Sequence, residues 1–423
     1  MSPTEIPNIY FIFPYRGVGG VSLLFLRLAE FFAENGMARS YLVDYPDGFM
    51  ASHRRDGLAR LLPYTDDAAV DIPAGAVAIF QSMTPWSIYP SLRLAKETRV
   101  LFWNCHPFNL VPTLPGVRQV MQSHLWFGRL MLDTLLIGYK LKIFRLINLL
   151  IKQRSLVFMD STNHQTTEGY LGLKIAAPVY LPIPASPPEV PVESAVVNGR
   201  DFRVSGIRVG WVGRVVDFKY HVLKRALIEL NLLQPSCGVS ISVTIVGTGE
   251  FADRLKLDAK RLENISIDFV EHISPGELDR YLLEHFDLLL AMGTCALDGA
   301  KLGIPTILLD CSYKKVPTSY LFQWLHERKG YTLGDLIGSV HLNGGTDSMA
   351  ARVQELLLTH SSLSAAARSY VDTNHDLAKI ANRLLNIVGE SRCLWQEIEG
   401  ARILGRGFVY SVFDRTRKKL VAK

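Results

Sequence analysis

The stretch VGWVGRVVDFK, residues 209–219, runs from a short apolar segment through glycine to two basic residues, Arg214 and Lys219. The apolar segment predicts a buried strand, and residues 220–233 repeat apolar positions at helical spacing. Arg214 and Lys219 therefore follow the carboxyl end of a strand, where open α/β sheets bind their ligands. Two such cations suit a diphosphate, which a guanidinium grips with paired donors and a lysine attracts as a point charge. A pair of solvated surface charges is the alternative interpretation.

Strands and helices alternate on both sides of this stretch. Downstream, the pattern predicts strands at 242–246, 266–269, 288–291 and 306–309, separated by helices at 251–262, 275–285 and 297–302. Upstream, it predicts strands at 9–13, 40–43, 77–80, 100–103, 156–159 and 179–181. This alternation is typical of doubly wound α/β domains. The sequence therefore predicts two such domains in succession.

Length and composition agree with two domains. The chain has 423 residues, of which 48% are hydrophobic and 20% charged, which is enough apolar material for two cores. Prolines cluster from 182 to 191, so residues 183–206 are predicted to form a linker between domains at 1–182 and 207–390. The last segment, 391–423, is expected to contain a helix that packs back on the first domain, followed by a basic tail.

A glycine-rich loop, RGVGG at residues 16–20, connects the first predicted strand to the first predicted helix. Backbone N–H groups at the start of a helix attract anions, and glycine lets a ligand come close, so Gly19 and Gly20 are candidate phosphate contacts. A tight turn that needs glycine explains the loop equally well. The third glycine of a dinucleotide-binding GxGxxG is absent, which disfavours a dinucleotide cofactor.

Two further motifs lie in the second half, VGTGE at 246–250 and DGAKLGIP at 298–305. Together with Gly213, Arg214 and Lys219 they resemble, in order and spacing, the C-terminal domain of family 4 glycosyltransferases across residues 208–310. The N-terminal glycine loop is similar to that family as well. The resemblance implies the GT-B fold, in which two Rossmann-like α/β domains face a cleft. It also implies an enzyme that uses a nucleotide-sugar donor.

The resemblance assigns donor contacts in the first two motifs. It implies that Arg214 and Lys219 bind the donor diphosphate, and that Gly247 and Gly249 lie by the nucleobase. Arg214 and Lys219 would also offset the charge that builds on the departing nucleoside diphosphate, so both are predicted to be catalytic.

The third motif carries the predicted contact with the donor ribose. Asp298 takes the position of the family's ribose-binding glutamate and is one methylene shorter. Leu290 stands where the first glutamate of the family's E-x7-E pair is expected. Backbone N–H groups around Gly293, Thr294 and Cys295 are therefore candidates to hold the sugar hydroxyls and phosphate.

A histidine is the catalytic candidate of the first domain. His106 follows the predicted strand 100–103 in the sequence NCHP, residues 104–107, and is predicted to face the donor at the mouth of the cleft. A histidine there can hydrogen-bond the transferred sugar or stabilise the transition state, and similar family members use a histidine near this strand. A turn histidine held by neighbouring backbone is an equally good interpretation.

The resemblance implies transfer with retention of anomeric configuration to a glycan or lipid-linked acceptor, in the usual setting of envelope polysaccharide assembly. The leaving diphosphate would then accept the acceptor's proton. No D-x-D pair ends a predicted strand of the second domain, so neither a metal ion nor another cofactor is expected. The missing first glutamate favours a second hypothesis, a non-catalytic scaffold or glycan-binding subunit. A sugar-nucleotide epimerase would need further carboxylates, which the sequence does not offer convincingly.

Charge and cysteine content limit the partners and the compartment. A net charge of +6 suits an anionic ligand or membrane surface and is too mild to indicate nucleic acid. Residues 125–152 mix Leu, Ile, Phe and Trp with Arg and Lys, which predicts peripheral contact with a membrane; a buried core helix is the alternative. Charges interrupt this segment, so it is not expected to span a bilayer. Five cysteines without paired spacing favour the cytoplasm, with contact at the inner face of the plasma membrane.

Overall fold

The computed structural model describes residues 6–17, 19–112, 114, 117, 120, 130, 133–191, 201–338 and 345–407. The chain divides into two compact units, Met1–Ile183 with Ala378–Lys423, and Pro184–Leu377. Each unit is built on a six-stranded sheet.

Both units alternate strands and helices along the chain. The elements of the first unit are strands β1 (Asn8–Ile12), β2 (Arg39–Asp44), β3 (Arg60–Pro63), β4 (Val70–Ile72), β5 (Val77–Gln81), β6 (Leu92–Leu94), β7 (Arg99–Asn104) and β8 (Leu156–Phe158), and helices α1 (Gly20–Glu34), α2 (Phe49–His53), α3 (Ile137–Lys152) and α4 (Ser161–Leu171). Those of the second unit are strands β9 (Ile207–Val212), β10 (Ile241–Val246), β11 (Ser266–Val270), β12 (Leu288–Ala291), β13 (Thr306–Leu308) and β14 (Gln323–Trp324), and helices α5 (Phe202–Ser205), α6 (Asp217–Leu233), α7 (Ala252–Ala259), α8 (Pro275–His285), α9 (Thr294–Ala300) and α10 (Met349–Asn374). The chain continues with α11 (Leu377–Glu390) and α12 (Trp395–Gly400).

The sheet of the first unit has the strand order β3-β2-β1-β5-β7-β8, and all its strand pairs are parallel. Its central strands are apolar and almost entirely buried, as expected for a parallel sheet with both faces covered. Strands β4 and β6 form a separate two-stranded sheet. The chain reverses its winding direction between β1 and β5, so the loops after these strands flank the switch point of the sheet.

The sheet of the second unit has the order β11-β10-β9-β12-β13-β14 and is parallel except for β14, which runs antiparallel to β13. Its switch point lies between β9 and β12, which are adjacent and parallel. Open α/β sheets bind ligands beyond the carboxyl ends of the strands at such a point. The loops that follow β9 and β12 are therefore the place to look for a site.

Several short elements differ from the sequence-based predictions. The predicted strand at 179–181 is reduced to one parallel bridge between Phe158 and Tyr180. The short strands β3, β4, β6 and β14 were not predicted, because each contains a charged residue, a proline or a glutamine and forms no continuous apolar run. Helix α8 and the wholly apolar strand β12 begin and end at the predicted residues.

Part of the predicted linker belongs to the second unit. The sequence predicts a linker at 183–206, whereas Pro184 already belongs to the second unit and α5 lies within the range. The amide of Ala185 donates to the carbonyl of His375 at 2.7 Å, and the amide of Glu189 donates to Asp279 Oδ2 at 2.8 Å. Proline prevents regular structure here without preventing these single hydrogen bonds to the unit.

The end of the chain belongs to the first unit. Leu394 forms an antiparallel bridge with Arg99, and the amide of Trp395 donates to the carbonyl of Thr98 at 2.9 Å. Trp395 and Ile398 are buried in the core of the first unit. The contacts place the return to the first unit at Ala378, earlier than the boundary at 390 that the sequence suggested, because α11 also packs there: Arg99 donates to the carbonyl of Val388 at 3.0 Å.

The predicted membrane segment is described only in part, since residues 125–129, 131 and 132 lie outside the described residues. Helix α3 buries one face in the core of the first unit, through Tyr139, Ile143, Leu146, Ile147 and Leu150. Its opposite face exposes apolar side chains to between 37% and 51%, namely Ile137, Leu141, Phe144 and Ile151. Helix α3 thus has one face in the core and an exposed apolar surface on the other. None of the described helices combines the length and apolar character that a membrane crossing needs.

Candidate functional site

The turn after β9 brings Arg214 and Lys219 to the switch point of the second sheet. Gly213 adopts a φ of 136°, a conformation that favours glycine, and its amide donates to the carbonyl of Val246 at 3.0 Å. Arg214 follows with an exposed side chain. Lys219 lies in the first turn of α6, so strand, turn and helix together set the spacing of the two cations.

Lys219 is a partly buried cation. Its Nζ lies 5.7 Å from the ring centroid of Trp211 and close to Gly213. Burial lowers the pKa of Lys219, the nearby Cys295 opposes this, and the guanidinium of Arg214 lowers the pKa further. Two cations that repel each other in a partly desolvated place attract an anion strongly. The pair is thus suited to a diphosphate.

The two glycines of the VGTGE motif are explained by backbone packing. A Cβ on Gly247 would overlap the carbonyl oxygen of Gly213, and one on Gly249 would overlap that of Val215. The amide of Val215 donates to the carbonyl of Thr248 at 2.9 Å, so the loops after β9 and β10 run in direct contact. Gly247 and Gly249 therefore hold the turn that carries Arg214, a role that is separate from the predicted nucleobase contact.

The turn after β12 contributes the remaining residues of the site. Gly293 has a φ of 65°, and helix α9 begins at Thr294. Cys295 and Asp298 are one helical turn apart and share a face of α9. Burial raises the pKa of Cys295 to about 11, Asp298 raises it as well, and Lys219 opposes both. A Cβ on Gly213 would lie 3.3 Å from Lys219 Nζ and 3.6 Å from Cys295 Sγ, so α9 lies against the turn after β9. Lys219, Cys295 and Asp298 therefore form one cluster at the switch point.

Leu290 occupies the position of the missing glutamate and is a core residue. It is fully buried in β12 and pairs with Trp211 of β9. A carboxylate at this position would be buried in the sheet without a partner, at a cost of several kcal/mol. The sugar contacts that the resemblance would assign to this position are therefore not available from it.

The glycine loop of the first unit follows β1 and begins α1. Gly19 is the N-cap of α1, in an extended conformation, and Gly20 is the first helical residue. Val18 lies outside the described residues. A Cβ on Gly17 would come within 2.8 Å of the Tyr15 hydroxyl, so glycine lets this ring lie across the loop.

Asp44 organises this loop and was missed by the sequence analysis. Its buried carboxylate accepts hydrogen bonds from the backbone amides of Tyr15, Tyr45, Met50 and Ala51, at 2.8 to 3.2 Å. Burial raises the pKa of Asp44, while the four amides lower it. The available signal was an aspartate directly after the apolar run 40–43, at the carboxyl end of a strand.

His106 lies in the first unit, after β7, with an exposed side chain. The amide of Phe108 donates to His106 Nδ1 at 3.1 Å. This is the local backbone contact of a turn histidine, the second of the two interpretations that the sequence allowed. Because Nδ1 accepts, the neutral ring carries its proton on Nε2. His106, Gly19 and Gly20 belong to the first unit, whereas the cations and Asp298 come together within the second.

The search for a metal site covers the described residues. Among them, no three His, Cys, Asp or Glu side chains are grouped closely enough to hold a metal ion. The ionisable groups of the switch point are Arg214, Lys219, Cys295 and Asp298. This set offers cations for phosphate and one carboxylate for hydroxyl groups.

Comparison with known proteins identifies the fold. No family model and no curated protein sequence matches this chain. A structure described as trehalose-6-phosphate from E. coli bound with UDP-2-fluoro glucose is 10% identical, covers 92% of this chain and 100% of its own, and has a TM-score of 0.51. The apo structure of OtsA is 11% identical, with 92% and 100% coverage and a TM-score of 0.50. WaaG, a glycosyltransferase involved in lipopolysaccharide biosynthesis, is 14% identical, with 90% and 99% coverage and a TM-score of 0.49.

At these identities the likeness concerns the fold. The chain itself contains two doubly wound α/β units, and the predicted fold class is confirmed. The chain has the GT-B fold.

Proposed function

We propose that the protein is a retaining glycosyltransferase that moves a sugar from a nucleotide-sugar donor to a glycan or lipid-linked acceptor, in the assembly of an envelope polysaccharide. The observation that carries this proposal is the position of Arg214, Lys219 and Asp298 at the switch point of the second sheet, where Lys219 Nζ and Cys295 Sγ both lie beside Gly213. Cations there suit a diphosphate, and a carboxylate beside them suits the hydroxyl groups of a ribose.

In the proposed reaction, the bond between the sugar's anomeric carbon and the diphosphate oxygen breaks. The acceptor oxygen forms a new bond on the same face of that carbon. The acceptor's proton passes to the departing diphosphate, so no protein base is needed. Arg214 and Lys219 stabilise the negative charge that develops on the diphosphate, which is why the proposed reaction is independent of a metal ion.

His106 has a proposed role toward the transferred sugar. A neutral ring with its proton on Nε2 can donate to a sugar hydroxyl while Nδ1 accepts from Phe108. The backbone contact would then orient the ring, so the two interpretations of His106 are compatible. Gly19 and Gly20 are proposed as donor contacts through their backbone N–H groups.

A non-catalytic scaffold or glycan-binding subunit is the second candidate. The observation in its favour is Leu290, since the buried leucine removes one carboxylate from the donor side of the fold. Such a subunit would keep the GT-B architecture without donor binding. Donor binding therefore separates the two candidates.

The test uses a thermal-shift screen against UDP-, GDP-, dTDP- and CMP-sugars, followed by donor hydrolysis without acceptor. We expect one nucleotide class to stabilise the protein, and its sugar to be released slowly. Arg214→Ala should lower the hydrolysis rate by about a hundredfold or more, as expected for loss of a charge-stabilising donor. Arg280→Ala removes an exposed arginine on α8 and serves as the matched control. Undiminished hydrolysis in Arg214→Ala contradicts the proposal, and absence of binding to any nucleotide sugar favours the scaffold.

Peripheral membrane contact is proposed for the surface of α3. Four apolar side chains are exposed along this helix, and Arg145 and Lys152 are exposed beside them. Apolar side chains can enter the interfacial region of a bilayer while basic ones meet lipid phosphates. A lipid-linked acceptor would be reached at such a surface, and the protein would act at the inner face of the plasma membrane.

A further inference from the structure

A buried ionic network lies next to the turn at Gly293. Arg328 donates to Asp310 Oδ1 at 2.7 Å and to Asp335 Oδ2 at 3.4 Å, and no side chain of the three is more than 1% exposed. Tyr320 adds a hydrogen bond from its hydroxyl to Asp310 Oδ2 at 3.1 Å. None of these groups belongs to the cluster of Lys219, Cys295 and Asp298 described above.

The network fixes the loop that contains residues 332–335. The amide of Asp335 donates to Asp310 Oδ1 at 2.8 Å, and the hydroxyl of Thr332 donates to Asp335 Oδ1 at 2.8 Å. Gly334 has a φ of 124°, and a Cβ there would come within 2.9 Å of the carbonyl oxygen of Leu309. The loop is therefore held directly against the carboxyl end of β13.

The same loop also holds the turn after β12. The carbonyl of Leu333 accepts the amide of Gly293 at 2.8 Å. Gly293 is the residue from which α9 starts, and α9 carries Asp298. A continuous path thus leads from Arg328 through Asp335 and Leu333 to the beginning of α9.

The chemistry of the network favours positioning over stability. Burying two carboxylates with one guanidinium costs more than an apolar packing of the same volume would, so such a group is weak evidence for stabilisation. Burial raises the pKa of Asp310 to about 6, although Arg328 lowers it. The ionic network contributes orientation, because a planar guanidinium holds the two carboxylates at fixed angles to each other.

We infer that Arg328 is a positioning residue for the donor site: through Asp310 and Asp335 it sets the turn at Gly293 and the placement of α9 for a nucleoside diphosphate. The inference rests on the proposed function for the identity of the ligand. The inference about the position of the turn is independent of the proposed function, because that position is measured without ligand.

The first measurement is amide hydrogen exchange in the full-length protein without ligand. Arg328→Lys keeps the charge and loses the fork, and Thr332→Val removes one hydroxyl and is the milder variant. Both should speed exchange at the amide of Gly293 by about tenfold, because its hydrogen bond to the carbonyl of Leu333 opens more often. The control is Arg352→Lys, since Arg352 is equally buried and pairs with Glu327, Asp347 and Glu355 instead.

The second measurement is the affinity for UDP and GDP by calorimetry. Arg328→Lys should weaken binding by about tenfold or more, whereas Arg352→Lys should leave it within about twofold even if it lowers the melting temperature. Unchanged exchange at Gly293 in both Arg328→Lys and Thr332→Val overturns the inference. If the wild type binds no nucleoside diphosphate, the proposed function fails, and the exchange data still decide whether Arg328 positions the turn.

Discussion

Burial and the guanidinium of Arg214 both lower the pKa of Lys219, because each disfavours its positive charge. An anion that binds between the two relieves this repulsion, so the site is arranged for a ligand that brings negative charge. Spacing in the sequence predicted the two cations. The proximity of Lys219 to Cys295 and to Trp211 comes from tertiary packing around the turn at Gly213.

The lowered pKa of Lys219 predicts how donor affinity depends on pH. A bound diphosphate favours the charged lysine, so affinity is full below the lowered pKa and falls as the pH rises through it. Calorimetric titration of UDP and GDP from about pH 7 to about pH 10 should show this fall earlier than an ordinary lysine would give it. Lys219→Arg, which stays protonated, should hold its affinity level over the same range. A wild-type affinity that is constant to the top of the range would contradict the prediction.

At the scale of elements, the loops after β9 and β10 are packed directly against each other. Gly247 and Gly249 have no room for a side chain because the carbonyls of the neighbouring turn lie against them. The glycines of this motif therefore allow the turn that carries Arg214 to pack closely against the loop after β10. The resemblance links the VGTGE motif to the nucleobase, and in this chain close backbone packing also explains why its glycines are needed.

Gly247→Ala tests the packing of these loops. The added Cβ meets backbone, and a φ of 128° disfavours alanine, so unfolding free energy should fall by about 2 kcal/mol or more. The matched control is Gly276→Ala in α8, where the nearest atom to a Cβ is 3.9 Å away. That variant should be neutral or stabilising by up to about 1 kcal/mol. Equal effects of the two substitutions in denaturant titrations would show that loop contact is not the cause.

Helix α3 packs one of its faces in the core of the first unit and exposes the other. Leu141→Glu combined with Phe144→Glu places charges on the exposed face and leaves the buried face unchanged. We expect wild-type protein to sediment with vesicles that contain anionic lipid, and the double variant to lose about tenfold in vesicle affinity. Leu232→Glu, on α6 in the second unit and 65% exposed, is the control and should bind like wild type. Equal binding of all three proteins would remove the proposed membrane contact.

At the scale of the whole molecule, the chain leaves the first unit and returns to it. Residues from Ala378 onward complete that unit, and Trp395 and Ile398 fill its core. The core of the first unit is therefore complete only when the segment that carries Trp395 and Ile398 has packed against it. The second unit is contiguous in sequence, from Pro184 to Leu377.

Trp395→Ala tests this dependence. The substitution leaves a cavity in the core and should lower the stability of the first unit by about 3–5 kcal/mol. Hydrogen exchange should speed up in β7, which neighbours the segment, and stay unchanged in β9 of the second unit. Leu358→Ala, at a side chain that is 76% exposed, should change neither strand. Faster exchange in both strands would mean that the two units do not unfold separately.

The extent of the sequence-based prediction differs between residues within local motifs and buried charged residues whose partners are distant in sequence. Arg214, Lys219 and Asp298 were predicted because each stands at a fixed distance from a strand or within a motif. Asp44 and Arg328 were missed, since their hydrogen-bond partners lie on other elements and no local pattern marks them.

The sequence by itself determined the two doubly wound domains, because the alternation of strand and helix is local and repeated. It also determined the positions of the two cations relative to β9, which depend on a few residues of turn. Tertiary structure alone decided the return of the chain to the first unit, the packing role of Gly247, and the path from Arg328 to Gly293. The physical reason is that each of these depends on contacts between residues distant in sequence, where one backbone or carboxylate is placed by the packing of another element.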